Sequence, residues 1–322
     1  MKTLEGLNWR QIYNEHMGCT KAILDYLGVD VSLPWLFGGT GNAFVLNMND
    51  TVFVDAAQAW DTSMLFDLAP NLGYAAERFH VDHETSLAMP ESDFRAKQRE
   101  AYDFVRARID AGLPCYAWEV RPIPAYYMIY GYDDDGYAWS VADDRGHCLW
   151  DKLGTYDVKQ VAVNCVRPTE PMPDVEAVRA MLTTVLDRIE RPDGWSIGPR
   201  YRTGLPAYDM WAEALEAGRA NRDGGAYITH VWMEARENAV DFLAEAQGRL
   251  PDACRVPLGE AEGHYTVVRD MLRTLLAMWP ERHGADWTST DQSAKGAALV
   301  RDAAAAEAKG VAALKRVLAA LA

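Results

Sequence analysis

The residues best suited to chemistry in this chain cluster around Cys19, in the run Asn14-Glu15-His16-Met17-Gly18-Cys19. The segment 18–28, GCTKAILDYLG, reads as a short helix. Ala22, Ile23, Tyr26 and Leu27 recur at helical spacing, and Gly28 stops it. In that frame Cys19 sits in the first turn, where free backbone N–H groups and the helix dipole favour a thiolate. His16 lies three residues upstream, and an adjacent imidazole is how cysteine nucleophiles are activated. The plain alternative is a small buried cysteine that packs the helix on a sheet.

Further polar groups could serve the same chemistry. Glu119 falls inside CYAWEV, between Trp118 and Val120. A strand carboxyl among aromatics acquires a raised pKa suited to proton transfer, unless alternation turns it to solvent. Asp55 ends the run TVFVD and either lines a site or caps a turn. Thr40 and Asn42, in GGTGN, offer a hydroxyl and an amide beside glycine backbone, a possible cradle for an oxyanion or carboxylate, with Trp35 as a wall. The GGTG run lacks the Lys-Ser/Thr ending of a phosphate loop. His80 and His83, in HVDHE, have no third partner nearby in sequence, so no metal or cofactor is expected.

The elements that must position these residues fall into two kinds. AFVLNM and TVFVD read as a strand pair turning at Asn49 and Asp50, residues 62–72 as helix, and 91–111 as a long amphipathic helix ended by Gly112. CYAWEV, AYYMIYGY, YAWSV and QVAVNCV read as strands, the middle two joined at Asp133-Asp134-Asp135-Gly136. Three prolines in 167–173 mark a linker, and beyond it the pattern is helical near 174–190, 206–220, 225–248, 258–278 and 291–321. The expected layout is α+β: a mixed domain over 1–168, then a helical domain over 174–322.

Composition bounds the partners. A chain of 322 residues, 49% apolar, can bury a large core. A net charge of −15 argues against nucleic acid and against anionic membrane surfaces. Five scattered cysteines without a CxxC pair imply neither a disulfide framework nor a zinc site. The N-terminal stretch has no apolar signal core and no run of about 18 apolar residues occurs, so the expected location is the cytoplasm.

Several of these pieces together resemble the papain-like superfamily, in particular the peptidase domains that process bacteriocin leaders. They are more similar still to the N-terminal domain of the butirosin biosynthesis protein H group. The likeness spans roughly 10–166 and rests on Cys19, AILDYLG, FGGTGNAF, Gly112-Leu113-Pro114 and Gly131-Tyr132-Asp133-Asp134; GLPAYDMWAEAL adds a weaker match in the second half. The resemblance implies a papain-like fold and acyl transfer from a carrier-protein thioester through a cysteine. The chain departs from the peptidases at the strand histidine, where Tyr126 stands, and no histidine occurs between His83 and His147. A Tyr-rich strand with Tyr126 and Tyr127 in that place suggests a pocket put to another use.

Three readings follow. In the first, the protein is a natural-product tailoring enzyme: Cys19 attacks a thioester or amide, His16 or Glu119 handles the proton, and the donor is a small molecule or a carrier protein. In the second, His16, Glu119 and Asp55 perform acid–base elimination, cyclisation or hydrolysis without the cysteine. In the third, a degenerate domain binds a peptide or small ligand without turnover.

Overall fold

The computed structural model describes residues 1–7, 9, 12–141, 143–278 and 290–322, without the side chains of 222, 223 and 290. In chain order the elements are β1 (Lys2–Thr3), α1 (Glu15–Leu27), α2 (Leu33–Gly39), β2 (Asn47–Asn49), α3 (Ser63–Asp67), β3 (Tyr74–Val81), α4 (His83–Ala88) and α5 (Glu91–Asp110). Then come β4 (Cys115–Trp118), β5 (Tyr126–Tyr132), β6 (Gly136–Val141), β7 (Asp144–Leu149) and β8 (Val161–Pro168). The rest is α6 (Asp174–Arg188), β9 (Tyr201–Thr203), α7 (Leu205–Glu216), α8 (Arg222–Arg249), α9 (Arg255–Ala277) and α10 (Thr290–Ala320). The class is α+β, with an antiparallel sheet and a helical C-terminal region. Among the described residues no helix is long and apolar enough to cross a membrane.

Two compact units divide the chain: Met1–Val31 with Gly73–Pro171, and Ser32–Leu72 with Met172–Ala322. The passage from Pro171 to Met172 falls in the proline-rich stretch read as a linker. Residues 32–72, read as part of the first domain, are built into the second unit.

The first unit is an antiparallel sheet in the order β3-β8-β4-β5-β6-β7, with β1 added to β5. Its side chains alternate between two faces. Cys115, Ala117, Tyr127, Ile129, Val163 and Cys165 pack with Phe94, Val105 and Ile109 of α5. At the edge, Arg108 of α5 donates to Glu77 of β3 at 2.8 Å. The intervening residues Tyr116, Trp118, Tyr126, Met128 and Asn164 occupy the opposite face, where α1 lies. In this unit the sequence did not suggest β1, a two-residue addition to β5, nor β3 and β7, which are the two ends of the strand order. Their sequences, YAAERFHV and DRGHCL, carry the charges that protect an edge and hide an apolar alternation.

In the second unit the expected hairpin at Asn49-Asp50 does not form. Asn49 Oδ1 accepts the backbone N–H of Thr51 at 3.2 Å and of Phe53 at 2.9 Å. This local capture diverts the backbone from a ladder. TVFVD therefore leads into a 3-10 turn at Val54–Ala57, while β2 pairs with β9. The unit is otherwise helical and holds a fully buried ion pair. Arg236 of α8 donates two hydrogen bonds to Glu307 of α10, at 2.9 and 2.7 Å, and Tyr208 of α7 donates to the same carboxylate.

Candidate functional site

Helix α1 begins earlier than the sequence suggested. Asn14 caps it, its side chain accepting the N–H of Met17 at 3.2 Å, and Glu15 opens its first turn. The C-terminal end is as expected, with Gly28 in the left-handed conformation at φ 72°. Cys19 thus lies a full turn inside the helix, beyond the range over which the dipole and free N–H groups stabilise a thiolate. The sulfur has no exposed surface. Burial pushes its thiol well above the ordinary value, and the nearby Trp9 indole N–H pulls back only in part. The thiolate expected from a first-turn cysteine is absent at neutral pH.

His16 is better placed than its sequence position alone could show. Residues i and i+3 share a helix face, so His16 and Cys19 both turn toward the sheet. The imidazole stands edge-on to the rings of Tyr116 and Tyr126, at centroid distances of 5.3 and 5.5 Å. Its Nδ1 lies 3.2 Å from the Tyr116 hydroxyl. Burial, aided by the positive charge of Arg78, holds the imidazole pKa down at about 3, so the ring is uncharged at physiological pH.

The tyrosines are equally neutral. Burial pushes Tyr126 up to about 12, while the Arg78 charge and the Asn164 amide pull the other way. Tyr116 is raised well above 10.0 by burial, countered by the Thr20 hydroxyl. The cross-strand register explains the grouping: Arg78 opposes Asn164, and Asn164 opposes Tyr116. The result is a hydrogen-bonding group of neutral rings, with the Arg78 guanidinium on the exposed edge strand and the Glu15 carboxylate near enough to act on Cys19 and Tyr126.

Sequence reasoning therefore brought Cys19, His16 and Tyr126 to one place and missed Tyr116, Asn164, Arg78, Thr20 and Trp9. Asn164 carried a readable signal, a lone amide inside the apolar strand VAVNCV. Tyr116 shares the face of Trp118 by simple alternation. Arg78 was hidden because β3 was not recognised as a strand.

The other expected residues do other work. Glu119 is not mid-strand. It follows β4 with φ 58°, a conformation costly for a non-glycine residue. It is fully buried, one oxygen accepting the Val158 N–H at 3.3 Å and the other without a partner, and burial raises its pKa. Its neighbours are residues 157 and 158, outside the His16 group. Tyr127 packs in the α5-side core against Trp139, its hydroxyl accepting from Arg121 at 3.0 Å.

Trp35, Thr40, Asn42 and Asp55 belong to the second unit. Trp35 packs against Phe242, with the Arg249 guanidinium 4.1 Å from its ring centroid. Thr40 turns its hydroxyl back to the Leu36 carbonyl at 2.7 Å, which removes it as an oxyanion donor. Asn42 is fully buried in a short 3-10 turn. Asp55 accepts the Tyr201 hydroxyl at 3.0 Å and an Asn49 amide N–H, a structural bracket between the turn and β9.

In HVDHE, Asp82 caps α4 through the Thr85 N–H at 2.8 Å and His83 Nδ1 meets the Lys159 carbonyl at 3.2 Å. Among the described residues no three His, Cys, Asp or Glu side chains gather as metal ligands. No protein-family model matches this chain, and no curated protein matches it.

Proposed function

We propose that the protein is a small-molecule tailoring enzyme of papain-like type, similar to the butirosin protein H group, that transfers or hydrolyses an acyl group through Cys19. The observation that carries this reading is the placement of His16 and Cys19 on one face of α1, against Tyr116, with the imidazole in its proton-accepting form. In the tautomer whose Nδ1–H donates to the Tyr116 oxygen, Nε2 is the unprotonated nitrogen. Tyr116 then takes the orienting part that a third residue plays in nucleophile–base–orienter sets.

In this reading the step starts from a neutral thiol and a neutral imidazole. A thiol above 9.0 and an imidazole near 3 differ by at least six pH units. Moving the proton before any bond forms would cost at least about 8 kcal/mol. Attack is therefore concerted. Cys19 Sγ bonds to the acyl carbonyl carbon as its proton passes to His16 Nε2. The departing thiol then takes that proton, leaving S-acyl Cys19 for an amine or water to attack. Trp9 Nε1–H, buried beside the sulfur, is the donor available to the developing oxyanion. The donor substrate would be a thioester, free or presented on a carrier protein.

The test is intact-mass analysis after exposure to an acyl N-acetylcysteamine thioester. The reading expects one acyl adduct on Cys19, lost in Cys19→Ala and slowed about a hundredfold in His16→Gln. Full turnover by Cys19→Ala would overturn it. The complete burial of Cys19 favours one competing reading, in which the His16–Tyr116–Tyr126 hollow binds a ligand or moves protons while the cysteine only packs. That reading expects no adduct and unchanged ligand binding in Cys19→Ala.

A further inference from the structure

On the α1 face of the same sheet, a small cavity of about 170 Å³ is lined by Thr3, Glu5, Tyr130, Ser140 and Arg145, with Leu4, Gly6 and Leu7 along its wall. From this cavity we infer a binding site for a small zwitterion of the α-amino-acid type. Its construction is specific. The pairing of β5 with β6 shifts between Ile129 and Gly131, which leaves Tyr130 as the extra residue and turns it out of the ladder. The Leu4 N–H donates to the Tyr130 carbonyl at 2.7 Å and pins the N-terminal segment along the cavity wall. Ser140 and Arg145 are directly opposed on β6 and β7. The Arg145 guanidinium lies 5.3 Å from the Tyr130 ring centroid.

The charges select the ligand. Glu5 accepts the Thr3 hydroxyl at 3.0 Å, and neither Glu5 nor Arg145 makes an ion pair among the described residues. The neighbouring Asp144 is already engaged by Arg121. A bare anion attracted to Arg145 meets the Glu5 carboxylate, and a bare cation attracted to Glu5 meets the guanidinium. A molecule carrying both charges one carbon apart satisfies both walls: its carboxylate faces Arg145 and Ser140, its ammonium faces Glu5. A cavity of about 170 Å³ has room for a small amino acid such as glycine, alanine or serine.

The site is separate from the His16 hollow. Tyr116 and Arg145 stand three strand steps apart, about 14 Å. A ligand of this size does not reach Cys19, so the inference stands or falls independently of acyl transfer.

The test is calorimetric titration of the whole protein with glycine, L-alanine and L-serine, each to about 10 mM, beside acetate and ethylamine as single-charge probes. Saturable binding of at least one amino acid is expected, with acetate and ethylamine each at least tenfold weaker. Arg145→Gln and Glu5→Gln, both at exposed positions, should each weaken the amino acid at least tenfold, and Cys19→Ala should leave it unchanged. The inference is overturned if none of the three amino acids binds, if acetate alone binds as tightly, or if both charge variants bind like the parent.

Discussion

Neutralising His16 by burial has a stability consequence that can be measured without knowing any substrate. An imidazole whose pKa falls from 6.5 to about 3 on folding binds fewer protons in the folded state across that interval. Its contribution is therefore complete above pH 6.5 and declines as the pH falls toward 3. At pH 4.5 the unfolded chain is charged at this position and the folded one is not, two pH units below 6.5. The penalty is about 2.7 kcal/mol at 1.4 kcal/mol per unit. The ring retains some solvent contact, which trims the figure to about 1.5–2.5 kcal/mol. His16→Gln removes the titration and keeps a hydrogen-bonding side chain. Urea unfolding of both proteins at pH 7.5 and pH 4.5 gives a double difference in which every other titrating group cancels. The parent should lose about 2 kcal/mol more than the variant on acidification. A double difference below about 0.5 kcal/mol, or a His16 ring resonance titrating near 6, would refute the argument that the hollow excludes charge.

Other outcomes follow from the same packing. Glu307→Gln strands the buried Arg236 guanidinium and should cost about 3–5 kcal/mol in thermal or urea unfolding, whereas Arg236→Met with Glu307→Leu should recover most of it. All five cysteines are buried, so a thiol reagent such as DTNB should report less than one equivalent within minutes on the folded protein and all five in denaturant. A Cβ on Gly38 of α2 would sit 2.1 Å from the Phe242 ring of α8. Gly38→Ala should therefore destabilise the protein by about 1–3 kcal/mol, and Gly38→Ala with Phe242→Leu should cost less than the single change, as unfolding midpoints will show.

The sequence by itself determined the parts whose signals are local. Apolar periodicity and terminal punctuation placed α5 and all five C-terminal helices. Alternation and the Asp-rich turn placed β4, β5, β6 and β8. The closeness of Cys19 and His16 was legible from their separation of three residues, but the helix face they share was not, because the sequence opens the helix at Gly18 and leaves His16 outside it. Tertiary structure decided everything that depends on what lies opposite. Asn14 rather than Gly18 opens α1, which moves Cys19 from a charged-tolerant helix terminus to a sealed interior and reverses the expected ionisation. Segment 32–72 joins the second unit because its strand finds β9, some 150 residues downstream, and takes Trp35, Thr40, Asn42 and Asp55 into structural roles. The hollow around His16 is assembled by strand register, which brings Arg78, Tyr116 and Asn164 into one row from three distant stretches of chain. Burial sets the charge state of a thiol or imidazole, and burial is a property of the packed whole, written in no single stretch of sequence.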